Sequence, residues 1–167
     1  MSVLKLLLYP DTRLNLKAKE VIKFDHELKV LVNNMFETMY YFDGCGLAAT
    51  QVNVQLRVIV LDISTSEEEK NPMVIINPTI LSLEESIIYN EGCLSFPTIS
   101  VNIERKSKLE LKYFDIEGNE KYLKCDGLLS HCIQHEIDHL NGVVIADYVS
   151  DLKKSLIIKR MKKFTYN

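Results

Sequence analysis

The feature that most constrains the fold of this chain is the stretch QHEIDHLNG, at positions 134–142. It contains a His-Glu-x-x-His pattern in which His135 and His139 are four residues apart. On an α-helix that spacing places both imidazoles on one face, where they can bind one divalent ion. Glu136 lies about 100° further around the helix, and from there it can accept a proton from a metal-activated water. The pattern predicts a metal-binding helix, although short motifs of this kind also arise by chance on solvated helices.

A catalytic site of this type needs a third protein ligand and one open position. Downstream of His139 the sequence has no further His and no Glu, and its only acids are Asp147 and Asp151. The search therefore turns upstream, to Cys93 in the segment EGCLS. One thiolate with two imidazoles suits a borderline-soft divalent ion such as iron(II), zinc, nickel or cobalt. The alternative is that Cys93 is a small buried hydrophobe, as most free cysteines are.

The size and composition of the chain predict a single domain spanning residues 1–167. Of its 167 residues, 47% are hydrophobic and 26% are charged, which is the balance of a compact domain. The formal net charge of −3 argues against DNA binding. No apolar run reaches membrane-spanning length, and the first residues lack the pattern of a signal peptide. We therefore expect a cytoplasmic protein whose four cysteines are free thiols or metal ligands.

The hydrophobic patterns predict an α+β fold, in which helices surround a set of mostly short antiparallel strands. Helices are predicted over 25–41, 126–140 and 151–164. Asp25 is the expected N-cap of the first helix, and Gly142 the expected stop of the second. Strands are predicted over 57–62, 73–76 and 86–89, followed by a hairpin that pairs 108–114 with 120–124.

Three motifs in this order resemble those of the peptide deformylases: GCGLAATQ at 44–51, EGCLS at 91–95, and QHEIDHLNG. The similarity covers nearly the whole chain. It implies an enzyme that removes the formyl group from the N-terminal formyl-methionine of nascent bacterial and organellar proteins. It also implies the family's α+β fold, with antiparallel β-sheets packed around the central HExxH helix and a C-terminal helix.

The resemblance also implies a role for each of the main site residues. The metal ligands would be Cys93, His135 and His139, and the ion would be iron(II), as in many members. Glu136 would be the general acid/base, and the Gln51 side chain with the Leu94 backbone N–H would stabilise the oxyanion. In the implied mechanism a metal-bound hydroxide attacks the formyl carbon, and Glu136 passes the proton to the leaving amine.

The expected substrate-binding residues surround this centre. They are Gly44, Cys45, Gly46, Glu91, Gly92, His131 and Cys132. In the family an arginine holds the acid that precedes the Gly-Cys pair, so Arg105 is expected to hold Glu91 and fix the loop that presents Cys93. The alternative is a surface ion pair that contributes little to stability.

The chain departs from the family pattern at three positions. Cys45 stands where many members have an aliphatic residue. His131 replaces an apolar pocket residue; a fourth ligand would close the site, so we expect it instead to make the pocket entrance more polar and to shift side-chain preference. Ser100 stands where many members have an arginine that contacts the substrate backbone.

The segment 151–164 carries six basic residues and one acidic residue. Its apolar positions are Leu152, Leu156, Ile157, Met161 and Phe164. In some bacterial members a basic C-terminal helix docks the enzyme near the ribosomal exit tunnel, and a packed amphipathic helix is the alternative here. The expected setting is the bacterial cytoplasm, or an organellar matrix if a transit peptide has been removed.

Two other functions compete with this interpretation. A small metallopeptidase would share the HExxH helix, but the upstream Cys ligand argues against it. A non-catalytic metal-binding or peptide-binding module would keep the fold but would have other residues at some catalytic positions. Against that, the catalytic and metal-binding residues are all present in the sequence: Gln51, Cys93, His135, Glu136 and His139.

Overall fold

The computed structural model describes residues 2–66 and 70–164. Within these residues five strands form one antiparallel sheet whose spatial order follows the sequence. The strands are β1 (Gly46–Ala48), β2 (Val58–Leu61), β3 (Met73–Gly92), β4 (Ser100–Phe114) and β5 (Glu120–Asp126). The helices are α1 (His26–Tyr41), α2 (Gly127–Leu140) and α3 (Asp151–Met161). The predicted α+β fold is confirmed, with one sheet in place of several.

The first strands of the sheet are covered on both faces. Successive side chains of β2 point to opposite sides, so Val58 and Val60 pack into the cluster that contains α1. Ile59 and Leu61 pack into the cluster that contains α2. This double burial explains the unbroken apolar run of the strand. None of the helices in the described residues is long and apolar enough to cross a membrane.

The helix ends follow the chemistry expected from the sequence. The Asp25 carboxylate accepts a hydrogen bond from the Leu28 N–H at 3.0 Å, as an N-cap should. After α2 the chain turns at Gly142, whose φ is +75°. A Cβ at this position would lie 2.4 Å from the Asn15 carbonyl oxygen, so only glycine fits. Helix α3 ends at Met161, its last buried residue, and not at the predicted position 164.

The strand prediction was wrong in one respect, because 73–76 and 86–89 belong to a single strand. β3 runs for 20 residues and pairs with β4, which begins at Ser100 and not near position 108. The intervening part of β3 is mostly exposed and carries no apolar alternation. Backbone pairing holds it, with register shifts that accommodate Pro78. The result is a long hairpin whose turn end lies beside α2, where the Lys106 N–H donates a hydrogen bond to Gln134 Oε1 at 3.0 Å.

The acidic loop predicted after β2 is described only in part, since positions 67–69 lie outside the described residues.

Candidate active site

The helix that carries the His-Glu-x-x-His pattern is enclosed by the rest of the protein. From Ser130 to Leu140 no residue of α2 is exposed. The sheet covers one side of the helix, and the loop between β3 and β4 approaches its other side. The exposed fractions of His135, Glu136 and His139 are 8%, 4% and 1%. The pattern therefore lies in the interior and not on a solvated surface.

Cys93 is brought to the two histidines by the end of β3. It follows Gly92, the last residue of the strand, and its carbonyl accepts a turn hydrogen bond from the Phe96 N–H at 2.9 Å. Its Sγ lies 3.2 Å from His139 Nε2. The candidate ligand atoms of Cys93, His135 and His139 all lie within 4.8 Å of one another.

The donor atoms of these groups fit a divalent cation. Burial raises the pKa of the Cys93 thiol, and the Glu136 carboxyl adds to the effect. Burial also lowers the pKa of His139 well below its usual range, so the imidazole is neutral, as a metal ligand must be. A bound cation would offset the cost of a buried thiolate. One sulfur and two nitrogens suit borderline-soft ions such as iron(II) or zinc.

Glu136 lies beside the ligands, and one of its buried carboxylate oxygens is left without a hydrogen bond. Among the described residues, Oε2 has no hydrogen-bond partner. Burial raises the pKa of this carboxyl well above its usual range, and the thiol group of Cys45 and the carboxylate of Glu91 raise it further. The chain passes very close to the other oxygen: a Cβ at Gly46 would lie 2.6 Å from Glu136 Oε1. Any side chain larger than that of glycine at position 46 would therefore press on the Glu136 carboxylate.

The amide of Gln51 is held in one orientation by its neighbours. Its Oε1 accepts a hydrogen bond from the Ala48 N–H at 2.9 Å. Its Nε2 donates to Ser95 Oγ at 3.1 Å and lies 3.5 Å from Cys93 Sγ. The donor end of the amide therefore faces the ligand loop.

Glu91 connects the metal ligands to the hairpin. Its side chain is 1% exposed, and that of Arg105 is 5% exposed. The guanidinium donates two hydrogen bonds to the carboxylate, from Nε to Oε1 at 2.7 Å and from Nη2 to Oε2 at 3.0 Å. Glu91 Oε2 also lies 2.8 Å from His135 Nδ1. A carboxylate can only accept, so Nδ1 donates and Nε2 is left to face an ion.

Two members of this network were missed by sequence reasoning. Arg105 Nη1 also donates to Asp138 Oδ2 and to the Tyr148 hydroxyl, which in turn donates to the same Asp138 oxygen. Asp138 lies within the HEIDH stretch and could have been suspected as a partner for a buried cation. Nothing in the sequence around Tyr148 indicates its role.

A cavity of about 390 Å³ opens next to these groups. Its walls include nearly all of the residues predicted to be functional: Gly44, Cys45, Gly46, Gln51, Glu91, Gly92, Cys93, Leu94, His131, Cys132, His135 and Glu136. Phe96, Ile99 and Leu128 complete its apolar lining. Ser100, the first residue of β4, is exposed and is not part of the lining.

His131 is packed between an aromatic ring and the Glu91 carboxylate. Its ring stacks on Tyr89 with centroids 4.2 Å apart and planes 3° apart. Its Nε2 lies 2.9 Å from Glu91 Oε1, although neither ring nitrogen meets hydrogen-bonding geometry within the described chain. Burial opposes ionisation of Glu91, but contacts with His131, His135 and Arg105 outweigh it and hold its pKa below the usual range. His131 thus lies at the cavity wall with this nitrogen towards Glu91.

The chain matches known proteins over nearly its whole length. The family model described as polypeptide deformylase matches residues 3–155. A peptide deformylase of Pseudomonas syringae is 48% identical over 164 residues, covering 98% of this chain and 96% of that protein. One of Brucella suis is 43% identical, with 98% and 94% covered. The crystal structure of the Ehrlichia chaffeensis peptide deformylase in complex with actinonin superposes with a TM-score of 0.93 at 42% identity, covering 98% of both chains.

Proposed function

The chain belongs to the peptide deformylase family, and on that premise we propose how its own residues carry out the reaction. It is an enzyme that removes the formyl group from the N-terminal formyl-methionine of nascent polypeptides, the activity that the family name denotes. The observation that carries the proposal is the convergence of Cys93, His135 and His139 beside a buried Glu136 with a free oxygen.

We propose that Cys93, His135 and His139 hold one divalent ion. Iron(II) is the physiological ion in this proposal, and zinc, nickel or cobalt can occupy the same donors. When bound, the ion supplies Lewis-acid chemistry, polarising a carbonyl and lowering the pKa of water. The contacts from Glu91 to His135 and from Arg105 to Glu91 orient the ligands for it.

Glu136 moves the proton in the proposed reaction. Its unpartnered Oε2 accepts a proton from the attacking water and delivers it to the nitrogen of the leaving amine. The raised pKa that burial gives this carboxyl suits a group that must both take and return a proton. Gln51 Nε2 and the Leu94 backbone N–H stabilise the oxyanion of the tetrahedral intermediate.

A pair of peptides that differ only in the formyl group tests this function. The metal-loaded enzyme should release formate from formyl-Met-Ala-Ser and leave the unformylated peptide intact. Cleavage of a peptide bond in the unformylated peptide would favour a metallopeptidase, and no reaction with either would favour a non-catalytic module. Glu136→Ala should keep its metal and lose turnover; near wild-type turnover would rule out its role.

We also propose that the substrate side chain lies in the cavity against Cys45, His131 and Cys132. All three line it. His131 is more polar than the apolar residue that related enzymes often have there, and Cys45 stands where many members have an aliphatic residue. The enzyme should therefore accept side chains other than methionine more readily than its relatives do. Comparing formyl-Met, formyl-Leu and formyl-Phe peptides tests this, and a strict preference for methionine would contradict it.

For partners beyond the peptide, we propose docking of α3 on the ribosome and a bacterial cytoplasmic setting. Ile157 and Met161 are buried, but Leu152 and Leu156 are exposed, so the predicted apolar stripe divides into a packed side and an open side. The exposed leucines lie beside exposed basic side chains such as Lys153. Salt-sensitive co-sedimentation with ribosomes should be lost on truncation after Ser150, and unchanged binding would reject docking.

A further inference from the structure

Two cysteines that take no part in the proposed metal site meet at the cavity wall. Cys45 lies in the loop before β1 and Cys132 lies in α2, and their Sγ atoms are 3.7 Å apart. Both residues line the cavity. Cys45 is exposed, whereas Cys132 is buried. A small oxidant can therefore reach the first sulfur, and the second lies in contact behind it.

We propose that Cys45 and Cys132 form a reversible modification site that a low-molecular-weight disulfide, such as oxidised glutathione, converts into an intramolecular disulfide. The disulfide would abolish the deformylase activity of the site, so this inference rests on the proposed function. A disulfide of this kind in a reducing compartment is regulatory and transient in character, not structural.

The chemistry proceeds in two exchange steps. The Cys45 thiolate attacks one sulfur of the oxidant, forming a mixed disulfide and releasing one molecule of reduced thiol. The Cys132 sulfur then attacks Cys45 Sγ, and the second half of the oxidant leaves with the proton that Cys132 gives up. Two protein thiols are oxidised and one small disulfide is reduced to two thiols.

The contact between the two thiols favours the first step. The contact with the Cys132 sulfur lowers the pKa of the Cys45 thiol. A thiolate is the attacking species in thiol–disulfide exchange. The same contact raises the pKa of the Cys132 thiol. Since Cys45 is also the exposed residue of the pair, its sulfur reacts first.

Closing the bond would draw the cavity wall together. A disulfide joins its sulfurs at about 2.05 Å, so the two must approach by about 1.7 Å. The loop has little freedom to follow, because the Cys45 carbonyl is bonded to the Asp62 N–H at 2.9 Å. The glycines on either side of Cys45 are also closely packed. A Cβ added at Gly44 would lie 2.7 Å from the Leu94 side chain, and one added at Gly46 would lie 2.6 Å from Glu136 Oε1. The bridge would press the loop onto Glu136 and occupy the space for the substrate side chain.

The test uses the full-length enzyme loaded with nickel(II), so that oxidation of iron does not contribute. The protein is equilibrated in buffers of oxidised and reduced glutathione, free thiols are alkylated, and the Cys45–Cys132 linkage is measured by peptide mass spectrometry. Formate release is measured on the same samples. We expect the linked peptide to appear as the buffer becomes more oxidising, activity to fall in proportion, and both changes to reverse with dithiothreitol.

Three variants sharpen the test. Cys45→Ser should keep, in every glutathione buffer, the activity that it shows before treatment. Cys132→Ala should give no linked peptide and should stop at the mixed disulfide between Cys45 and glutathione, which mass spectrometry detects as added glutathione. Cys125→Ser is the matched control: Cys125 lies on β5, paired with Leu109, so its removal should leave the wild-type response intact. Any of three results would overturn the inference. They are absence of the linked peptide at every ratio of oxidised to reduced glutathione, inactivation of Cys45→Ser to the same extent as the wild type, and full activity in the linked protein. Failure of the untreated enzyme to release formate would count instead against the proposed function, since the linkage is measured without substrate.

Discussion

Removing the Arg105 guanidinium should cost both stability and metal affinity. In Arg105→Ala, Glu91 remains buried at 1% exposure while it loses hydrogen bonds of 2.7 and 3.0 Å. Breaking a buried charge pair from one side costs about 3–5 kcal/mol, because the remaining charge is left uncompensated. For a chain of this size about 1 kcal/mol corresponds to 2–4 °C in Tm, so the expected decrease is roughly 6–20 °C.

The chain offers a matched control for this substitution. Arg13 makes the same forked contact with Asp11, from Nε at 3.0 Å and from Nη2 at 2.6 Å. Its side chain is 49% exposed, however, and that of Asp11 is 28% exposed. Solvent can replace this pair, so Arg13→Ala should leave the Tm nearly unchanged. Both variants remove a guanidinium that makes a forked contact with a carboxylate, but only the pair of Arg105 and Glu91 is buried.

The measurement is thermal unfolding of both variants after treatment with a chelator, followed by titration with zinc or nickel. Arg105→Ala should bind the ion about 10–100-fold more weakly, because Glu91 no longer holds His135 Nδ1 in a fixed orientation. Equal Tm values for the two variants would refute the burial argument. If Glu91→Gln/Arg105→Met recovers none of the lost stability, the cost does not come from an unpaired carboxylate.

Three further predictions concern the same region. Gly46→Ala should lower turnover while the metal content stays near stoichiometric, because the new Cβ would meet Glu136 Oε1 at 2.6 Å; unchanged kcat would contradict the close approach. Gly142→Ala should lower the Tm without affecting the metal, since φ is +75° and the Cβ would meet the Asn15 carbonyl oxygen at 2.4 Å; an unchanged midpoint would show that the turn can shift. Chelation should lower the Tm of the wild type, and the Tm should rise with the logarithm of added free ion; a Tm independent of the ion would argue against binding at the three ligands.

The local features of the sequence predicted the fold well where a pattern reports on burial. Asp25, Gly142 and the apolar run of β2 each have a short-range signal, and the elements lie where those signals place them. The full length of β3 could not be predicted, because its outer part is held by backbone hydrogen bonds that are independent of side-chain type. An exposed segment that mixes apolar and polar side chains, as β3 does around Leu81 and Leu83, looks the same in a loop and in such a hairpin.

The residues of the candidate site also divide into those with a local sequence signal and those whose contacts come from separate elements. The spacing of His135 and His139 and the glycine before Cys93 are visible in the sequence, and the structure brings these residues together. The partners of Arg105 come from separate elements, and no local pattern relates Tyr148 to a guanidinium on β4. The direction of the His131 ring depends on Tyr89 across the interface between β3 and α2. Such contacts become apparent only when the chain is folded.

The enclosure of α2 from Ser130 onward restricts how this protein can change over evolutionary time. From Ser130 to Leu140 no residue is exposed, so most single substitutions there require a second, compensating change elsewhere. Substitutions that change the substrate range are more easily tolerated at Leu128, which is exposed on the first turn of α2, and in the loop that contains Cys45. We therefore expect lineages to diversify at the rim of the cavity while the body of the helix stays nearly constant.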